Sequence, residues 1–163
     1  MFYKTFIAVF LTQMISCDGT QIDAQSEIEG EWTLKNVFLS DAYDTPCGWE
    51  TGEHEPLTMN VTQKNGKYVI GGNSAVNTYF GSFEIASYNK DSKIGTIKVS
   101  GINSTKKAGP VPLMNCEQRF LDQLQNATDF GFDEDGQLSI GNFRNENSHP
   151  RDGGYYLIFE RSK

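Results

Sequence analysis

The chain of 163 residues is long enough for one domain with its own hydrophobic core, and its formal net charge is -7 at pH 7. Because phosphate binding requires a basic face, this acidic balance argues against nucleic acid as a partner and against adsorption to anionic lipid by charge. The first 16 residues place Lys4 before an apolar run that is too short to cross a bilayer as a mature helix. Residues 1–16 are therefore predicted to be a signal peptide, and the protein to be exported.

The end of this leader is Met14-Ile15-Ser16-Cys17, which resembles the lipobox of bacterial lipoproteins. In that class the cysteine thiol receives a diacylglycerol. We therefore expect Cys17 to anchor the protein to a bacterial envelope membrane, with the domain in the periplasm or at the cell surface. Leucine is the usual residue three places before the cysteine, so Met14 is a departure, and an ordinary cleaved signal peptide is the alternative. The polar composition of residues 17–29 predicts a lipidated flexible tether.

Three cysteines in an exported protein leave one without a partner. If Cys17 carries lipid, Cys47 and Cys116 remain as an even pair in an oxidising compartment, where a disulfide persists. Two buried free thiols are the alternative, since pairing cannot be deduced from sequence alone.

The folded domain is predicted over residues 30–163, and its first strand over residues 30–39. Trp32, Leu34 and Phe38 occupy alternate positions there and are predicted to share one buried face. Further short strands with the same alternation follow, joined by turns rather than by long crossovers. The sequence therefore predicts about eight antiparallel strands.

One stretch predicts a helix, at about residues 112–125. Its apolar side chains recur at helical spacing, at Leu113, Cys116, Phe120 and Leu124. Pro112 falls in the first turn, where its missing N–H costs nothing. One helix among antiparallel strands defines an α+β fold, and we expect the helix to cover the core as a lid or plug.

Residues 40–56 show no period, and a loop of this length in a compact domain is usually functional or disordered. Tyr43 and Trp49 within it either form an aromatic contact surface or fold back onto the core. Glu53-His54-Glu55 has the chemistry of metal ligands, but a zinc site would need His149 from a distant loop. No metal or cofactor is expected.

Three blocks carry a family resemblance. They are Gly30-Glu31-Trp32-Thr33-Leu34, residues 72–83 with Asn77 and Gly81, and the stretch from Ser104 that includes Thr105, Met114 and Glu117. Together they resemble the META domain, also called the heat-shock protein HslJ-like domain, from Gly30 to Phe159. The resemblance implies one α+β domain whose antiparallel sheet rolls into a barrel-like structure around a single helix.

The chain departs from this family at two positions. Many members carry one cysteine in the second block and one in the third, where this chain has Val76 and Gly109. Both cysteines are absent together. Cys47 and Cys116 are therefore interpreted as a relocated bridge that fixes the loop at residues 40–56 to the helix.

The motif residues are interpreted as scaffold. Asn77 suits a turn, Gly81 permits a bulge or a close approach, and Thr105 can brace the segment before the helix. Glu117 is predicted to be a half-buried carboxylate that needs a partner. We expect it to accept hydrogen bonds from loop backbone rather than to carry out chemistry.

No catalytic motif is evident in the sequence. The family resemblance implies association with stress and drug tolerance and with secretion, not a defined reaction. We therefore expect a monomeric, non-enzymatic envelope lipoprotein that binds an unknown protein or small ligand through Tyr43, Trp49 and the loop at residues 141–153. An inhibitor that inserts the disulfide-pinned loop into a hydrolase is the alternative, and a hydrolytic enzyme that uses Glu117 is a third interpretation.

Overall fold

A computed structural model of the chain describes residues 24, 27–48, 54–144, 147 and 149–162. The predicted signal peptide, the predicted lipidation site Cys17 and the candidate binding residue Trp49 lie outside these residues. Within the described part of the chain, no helix combines the length and the apolar character needed to span a membrane.

The described residues form nine strands and one long helix. In chain order these are β1 (Gly30–Leu39), β2 (Ala42–Asp44), β3 (Thr58–Lys64), β4 (Lys67–Asn73), β5 (Thr78–Asn89), β6 (Ile94–Ser104), α1 (Val111–Gln125), β7 (Asp129–Phe132), β8 (Leu138–Phe143) and β9 (Gly154–Arg161). All paired strands are antiparallel, and β9 pairs back onto β1, which closes the sheet into a ring. The predicted α+β fold, with a rolled antiparallel sheet and one helix, is confirmed.

The core lies inside the ring and is capped by α1. Its largest fully buried side chains include Trp32, Phe83, Phe130 and Phe159. Helix α1 packs against β6, β8 and β9, and it buries Cys116, Glu117, Phe120 and Leu124. Pro112 lies in the first turn of the helix, as predicted.

The prediction that Phe38 shares the buried face of Trp32 and Leu34 is wrong. The pairing of β1 with β9 shifts register just after Leu34, and this irregularity reverses the alternation of side chains. Val37 therefore lies in the core, at 6% exposure. Phe38 lies on the outer face of the ring, stacked on Tyr156.

The prediction of an irregular loop over residues 40–56 is wrong at its beginning, where β2 pairs with the end of β1. This accounts for nine strands rather than about eight. A three-residue strand is too short to show a period in sequence. The tight reversal before it is made by Ser40, whose φ is 63°.

The prediction that residues 17–29 are all flexible tether is wrong at their C-terminal end. Ala24 and Ile28 are fully buried, and the Trp32 indole donates a hydrogen bond to the Ile28 carbonyl. The Arg161 guanidinium lies 4.4 Å from the centre of the Trp32 ring. The stretch is polar on average, but Ala24 and Ile28 are apolar and lie one helical turn apart in the sequence. The folded domain therefore begins before residue 30.

Candidate functional site

Glu117 of α1 is buried, at 5% exposure, and its carboxylate accepts hydrogen bonds from the segment between β4 and β5. Its Oε2 accepts hydrogen bonds from the backbone nitrogens of Val76 (3.1 Å) and Asn77 (2.7 Å) and lies 2.9 Å from the Ser74 hydroxyl. Its Oε1 accepts a bond from the Asn77 side-chain amide at 2.8 Å. Both carboxylate oxygens therefore hold the loop, which leaves them poorly placed for proton transfer to a ligand.

Asn77 continues the same network toward the segment before α1. Its side-chain oxygen accepts hydrogen bonds from the Thr105 hydroxyl and the Lys107 backbone nitrogen, both at 2.7 Å. The Thr105 oxygen in turn accepts a bond from the Thr78 backbone nitrogen. We call Ser74, Asn77, Thr105 and Glu117 the buried hub. It ties the β4–β5 turn, the pre-helix segment and the helix together.

The other two motif residues have backbone roles. A Cβ atom at Gly81 would lie 2.6 Å from the carbonyl oxygen of Gly101, so β5 and β6 approach too closely there for a side chain. The register of the β5–β6 pair also shifts just after Gly81. Met114 is half-buried, and its nitrogen donates a hydrogen bond to the Pro110 carbonyl at the start of α1.

The predicted disulfide between Cys47 and Cys116 is present, with a Cα–Cα distance of 4.9 Å. Both residues are buried, at 4% and 0% exposure. The bond fixes the chain just after β2 to the first half of α1. Cys47 thus ties residues 40–48 to the same helix that carries Glu117.

No group of three or more His, Cys, Asp or Glu residues could hold a metal ion among the residues that the structure describes. The His54 ring nitrogen Nδ1 lies 2.8 Å from the carbonyl oxygen of Glu55, and Glu53 lies outside the described residues.

Four aromatic residues meet on the outer face of the ring, and we call them the aromatic cluster. Phe38 is stacked on Tyr156 with ring centres 4.8 Å apart. Tyr43 of β2 meets Phe38 edge-on at 5.0 Å, and Phe143 of β8 meets Tyr156 edge-on at 5.3 Å. Tyr43 is 67% exposed. The predicted contact residue Tyr43 therefore belongs to a larger aromatic surface.

Two adjoining cavities, of about 360 and 350 Å³, lie beside the aromatic cluster, and we call them together the outer groove. Both cavities are lined by Asp133, Ser139 and Tyr156. The first is further lined by Ile94, Phe132, Phe143 and Arg144. The second is further lined by Asn36, Tyr43, Gln137 and Ile158.

The groove is concave because β8 presents small residues to the outer face. Ser139 pairs with Gly131 on one side and with Ile158 on the other. Gly141 pairs with Tyr156, and a Cβ at Gly141 would lie 2.6 Å from the Tyr156 Cβ. Any side chain at Gly141 would displace Tyr156, so the position of this ring depends on that glycine.

The predicted contact regions around Tyr43 and residues 141–153 are brought together. The Gly153 nitrogen donates to the Ser40 carbonyl, and the Ser40 nitrogen donates to the Gly154 carbonyl at 2.8 Å. These bonds join the turn before β2 to the end of the loop, although residues 145, 146 and 148 of that loop lie outside the described part.

Burial and the neighbouring Tyr43 hydroxyl both raise the pKa of the Tyr156 phenol, and burial is the larger cause. The Tyr156 phenol therefore stays protonated at neutral pH, so it can donate one hydrogen bond to a ligand.

The sequence did not predict Phe38 or Tyr156 as site residues, and it included Phe143 only as part of the loop at residues 141–153. One signal for them exists in β9, where Tyr156 and Ile158 alternate with the buried Leu157 and Phe159. A strand that is apolar on both faces has a second surface to bury, here the outer face of the ring.

Fold and site together define a small α+β domain built on one antiparallel ring, with a buried polar hub and an outer aromatic groove. The META domain family matches residues 24–151, more than half of the chain, and the chain belongs to this family. The NMR structure of a protein from Burkholderia xenovorans has the same fold. The two sequences are 17% identical, and their structures superpose with a TM-score of 0.54. The match covers 96% of this chain and 99% of the Burkholderia chain. No curated protein is significantly similar to this chain.

The two places where many family members carry cysteine are adjacent in this structure. A Cβ atom at Gly109 would lie 3.5 Å from the Cβ of Val76, within the range of a disulfide. The Cys47–Cys116 bond fixes the same helical region at another point. This arrangement supports the interpretation of Cys47 and Cys116 as a relocated bridge.

Proposed function

We propose that this META domain protein is an exported, lipid-anchored and non-enzymatic binding module whose ligand occupies the outer groove. The observation that carries the proposal is the aromatic cluster, which lies on the face of the ring away from the core. Core packing accounts for Trp32 and Phe159, but it does not account for an exposed Tyr43 in contact with Phe38. Exposed aromatic residues around a concave surface are typical of binding sites.

The position of the N-terminal segment supports the lipid anchor as part of the same proposal. The Ile28 carbonyl is bound by Trp32, near the start of β1, whereas Phe38 lies near the end of that strand. Trp32 and Phe38 are about 20 Å apart at the usual strand rise. The segment that leads back from Ile28 toward Cys17 therefore starts at the end of β1 remote from Phe38.

The buried hub supports the absence of catalysis. Glu117 is the carboxylate named in the hydrolase interpretation, and its oxygens are occupied by donors of the protein itself. A role in envelope stress or drug tolerance rests on the family resemblance and extends the proposal to a biological setting.

Two measurements test the proposal. If the protein is lipidated, mass spectrometry should find diacylglycerol on Cys17, and Cys17→Ser should move the protein from the membrane fraction to the soluble fraction.

If a ligand binds in the outer groove, titration with small-molecule fragments should shift the NMR signals of Ser139 and Gly141. The Tyr156→Ala variant should no longer show these shifts. Tyr155→Ala is the matched control, because Tyr155 lies on the same strand but does not line either cavity of the groove. Fragment shifts confined to other surfaces would contradict the groove assignment.

The Cys47–Cys116 disulfide favours a second candidate, an inhibitor of a hydrolase that uses the loop following β2. A covalently fixed loop binds with less loss of conformational entropy. An inhibitor should lose affinity for its enzyme on reduction or in Cys47→Ala. A module that binds through the outer groove should keep its ligand in the first cavity, because that cavity is lined by Phe143 and Arg144 and not by Tyr43 of the loop.

A further inference from the structure

We infer that the outer groove binds a neutral oligosaccharide of at least two sugar rings. The inference rests on the proposed binding function and names the chemical class of its ligand. Three features carry it: the division of the groove into two similar cavities, the aromatic side chains beside them, and the mixture of polar groups along them.

The two cavities have nearly equal volumes, of about 360 and 350 Å³, and they meet at Asp133, Ser139 and Tyr156. Each lies at the lower end of the range for small-molecule sites, roughly 300–1,000 Å³. Two similar cavities in a row suit a ligand made of repeated units of one size. Tyr156 lies where the two units would join.

Each cavity also has an aromatic side chain of its own, Phe143 in the first and Tyr43 in the second. The C–H groups on one side of a pyranose ring are weakly positive, and they pack well on the negative face of an aromatic ring. The phenol hydroxyls of Tyr43 and Tyr156 add hydrogen-bonding groups at the same place.

The polar residues along the groove offer both donors and acceptors, as the hydroxyl groups of a sugar do. Asn36, Gln137 and Ser139 are neutral, and Asp133 is accompanied by one cation, Arg144. The groove therefore has no net charge, in a protein whose net charge is -7. This balance disfavours polyanionic ligands, and a purely apolar ligand would leave these polar groups unpaired.

An extended peptide is a poorer match for this surface. Peptides that add to a sheet require a free strand edge. β8 and β9 pair with neighbouring strands on both sides, and β2, which pairs with β1 alone among the described strands, offers an edge of only three residues. The outer groove runs across the face of these strands, where backbone groups are already used.

The test is an NMR titration of the mature, 15N-labelled protein with maltotriose, cellotriose and chitotriose as neutral probes. Tri-galacturonate serves as the anionic probe and an uncharged tripeptide as the peptide probe. We expect at least one neutral trisaccharide to shift the amides of Ser139, Gly141 and Tyr156, and to bind at least tenfold more tightly than its monosaccharide.

Variants assign the effect to the groove. Tyr156→Ala should weaken trisaccharide binding at least tenfold, Tyr156→Phe should retain most of it, and Tyr155→Ala should leave it unchanged. Because Tyr156 also packs on Phe38, its loss affects the fold, and Ser139→Leu provides an independent test. Leucine at this position fills the floor of the groove and should abolish binding while the free energy of unfolding changes little.

The results that overturn the inference are distinct from those that overturn the proposed function. If no neutral trisaccharide shifts the groove amides at roughly 10 mM, or if the anionic probe binds more tightly, the assignment of a neutral sugar is wrong. If the tripeptide alone binds there, the groove remains a binding site and only its ligand class changes. If the fragments described above also leave the groove unperturbed, the proposed function itself fails.

Discussion

The Oε2 atom of Glu117 lies 2.7 Å from the backbone nitrogen of Asn77, 40 residues earlier in the chain. This hydrogen bond joins α1 to the turn between β4 and β5. Asn77 extends the connection to Thr105, whose hydroxyl lies 2.7 Å from the Asn77 side-chain oxygen. Because the acceptor is a buried carboxylate and its donors belong to loops, the contact organises one end of the ring.

Loss of the Glu117 carboxylate should destabilise the domain. We expect Glu117→Ala to lower the free energy of unfolding by about 3 kcal/mol or more, because the buried donors of Ser74 and Asn77 lose their acceptor. Glu117→Gln should have a smaller effect, since it keeps one acceptor oxygen. Urea unfolding followed by circular dichroism measures both. Glu134→Ala, in an exposed turn, is the control and should change stability by less than about 0.5 kcal/mol.

Removal of the native disulfide should have a large effect on stability and a local effect on structure. The bond joins residues 69 apart, for which the chain-entropy relation predicts a loss of roughly 4 kcal/mol in Cys47→Ala or on reduction. Hydrogen exchange should accelerate first in the loop at residues 40–56. Unchanged exchange in that loop after reduction would show that Cys47 is not what holds it in place.

A second disulfide should form when cysteines are placed at Val76 and Gly109. The 3.5 Å between their Cβ positions suits a disulfide, and Gly109 does not have the positive φ that would disfavour a side chain. In a background that lacks Cys47 and Cys116, V76C/G109C should recover roughly 3–4 kcal/mol, since it closes a loop of 33 residues (109 minus 76).

The measurement for this double variant is the free-thiol count, with urea unfolding in the presence and absence of reductant. Each single variant, V76C or G109C, serves as its control. Two free thiols in the folded double variant would show that the two positions are not adjacent in solution.

Stability should decline in alkaline solution because of Tyr79. This residue is 3% exposed, its hydroxyl donates to the Thr58 carbonyl at 3.0 Å, and burial raises its pKa above the ordinary value of 10.0. Above about pH 10 the unfolded chain releases this proton while the folded chain keeps it, so stability falls as the pH rises. Below about pH 10 the residue contributes no pH dependence.

Tyr79→Phe should make the alkaline decline shallower, and at neutral pH it should cost about 1 kcal/mol for the lost hydrogen bond. Stability curves from pH 7 to about pH 11 provide the comparison. Equal slopes for Tyr79→Phe and the natural protein would show that another group causes the decline.

The antiparallel strands and the single helix could be predicted from the sequence, which also favoured a bond between Cys47 and Cys116 over two free thiols. These features follow from local rules: alternation of apolar residues marks strands, a spacing of three and four marks the helix, and an odd cysteine is assigned to lipid. The same local patterns indicated that Glu117 needed partners, because a carboxylate on the apolar side of a helix cannot remain unpaired.

Which residues share the outer face depends on how the strands pair in three dimensions. A single irregularity after Leu34 moves Phe38 from the core to the outside, and the alternation of apolar residues in β1 does not reveal where it falls. The members of the aromatic cluster come from four different strands: Phe38 from β1, Tyr43 from β2, Phe143 from β8 and Tyr156 from β9. Contacts of this kind depend on how the sheet closes, and closure is set by the pairing of β1 with β9 rather than by any one segment.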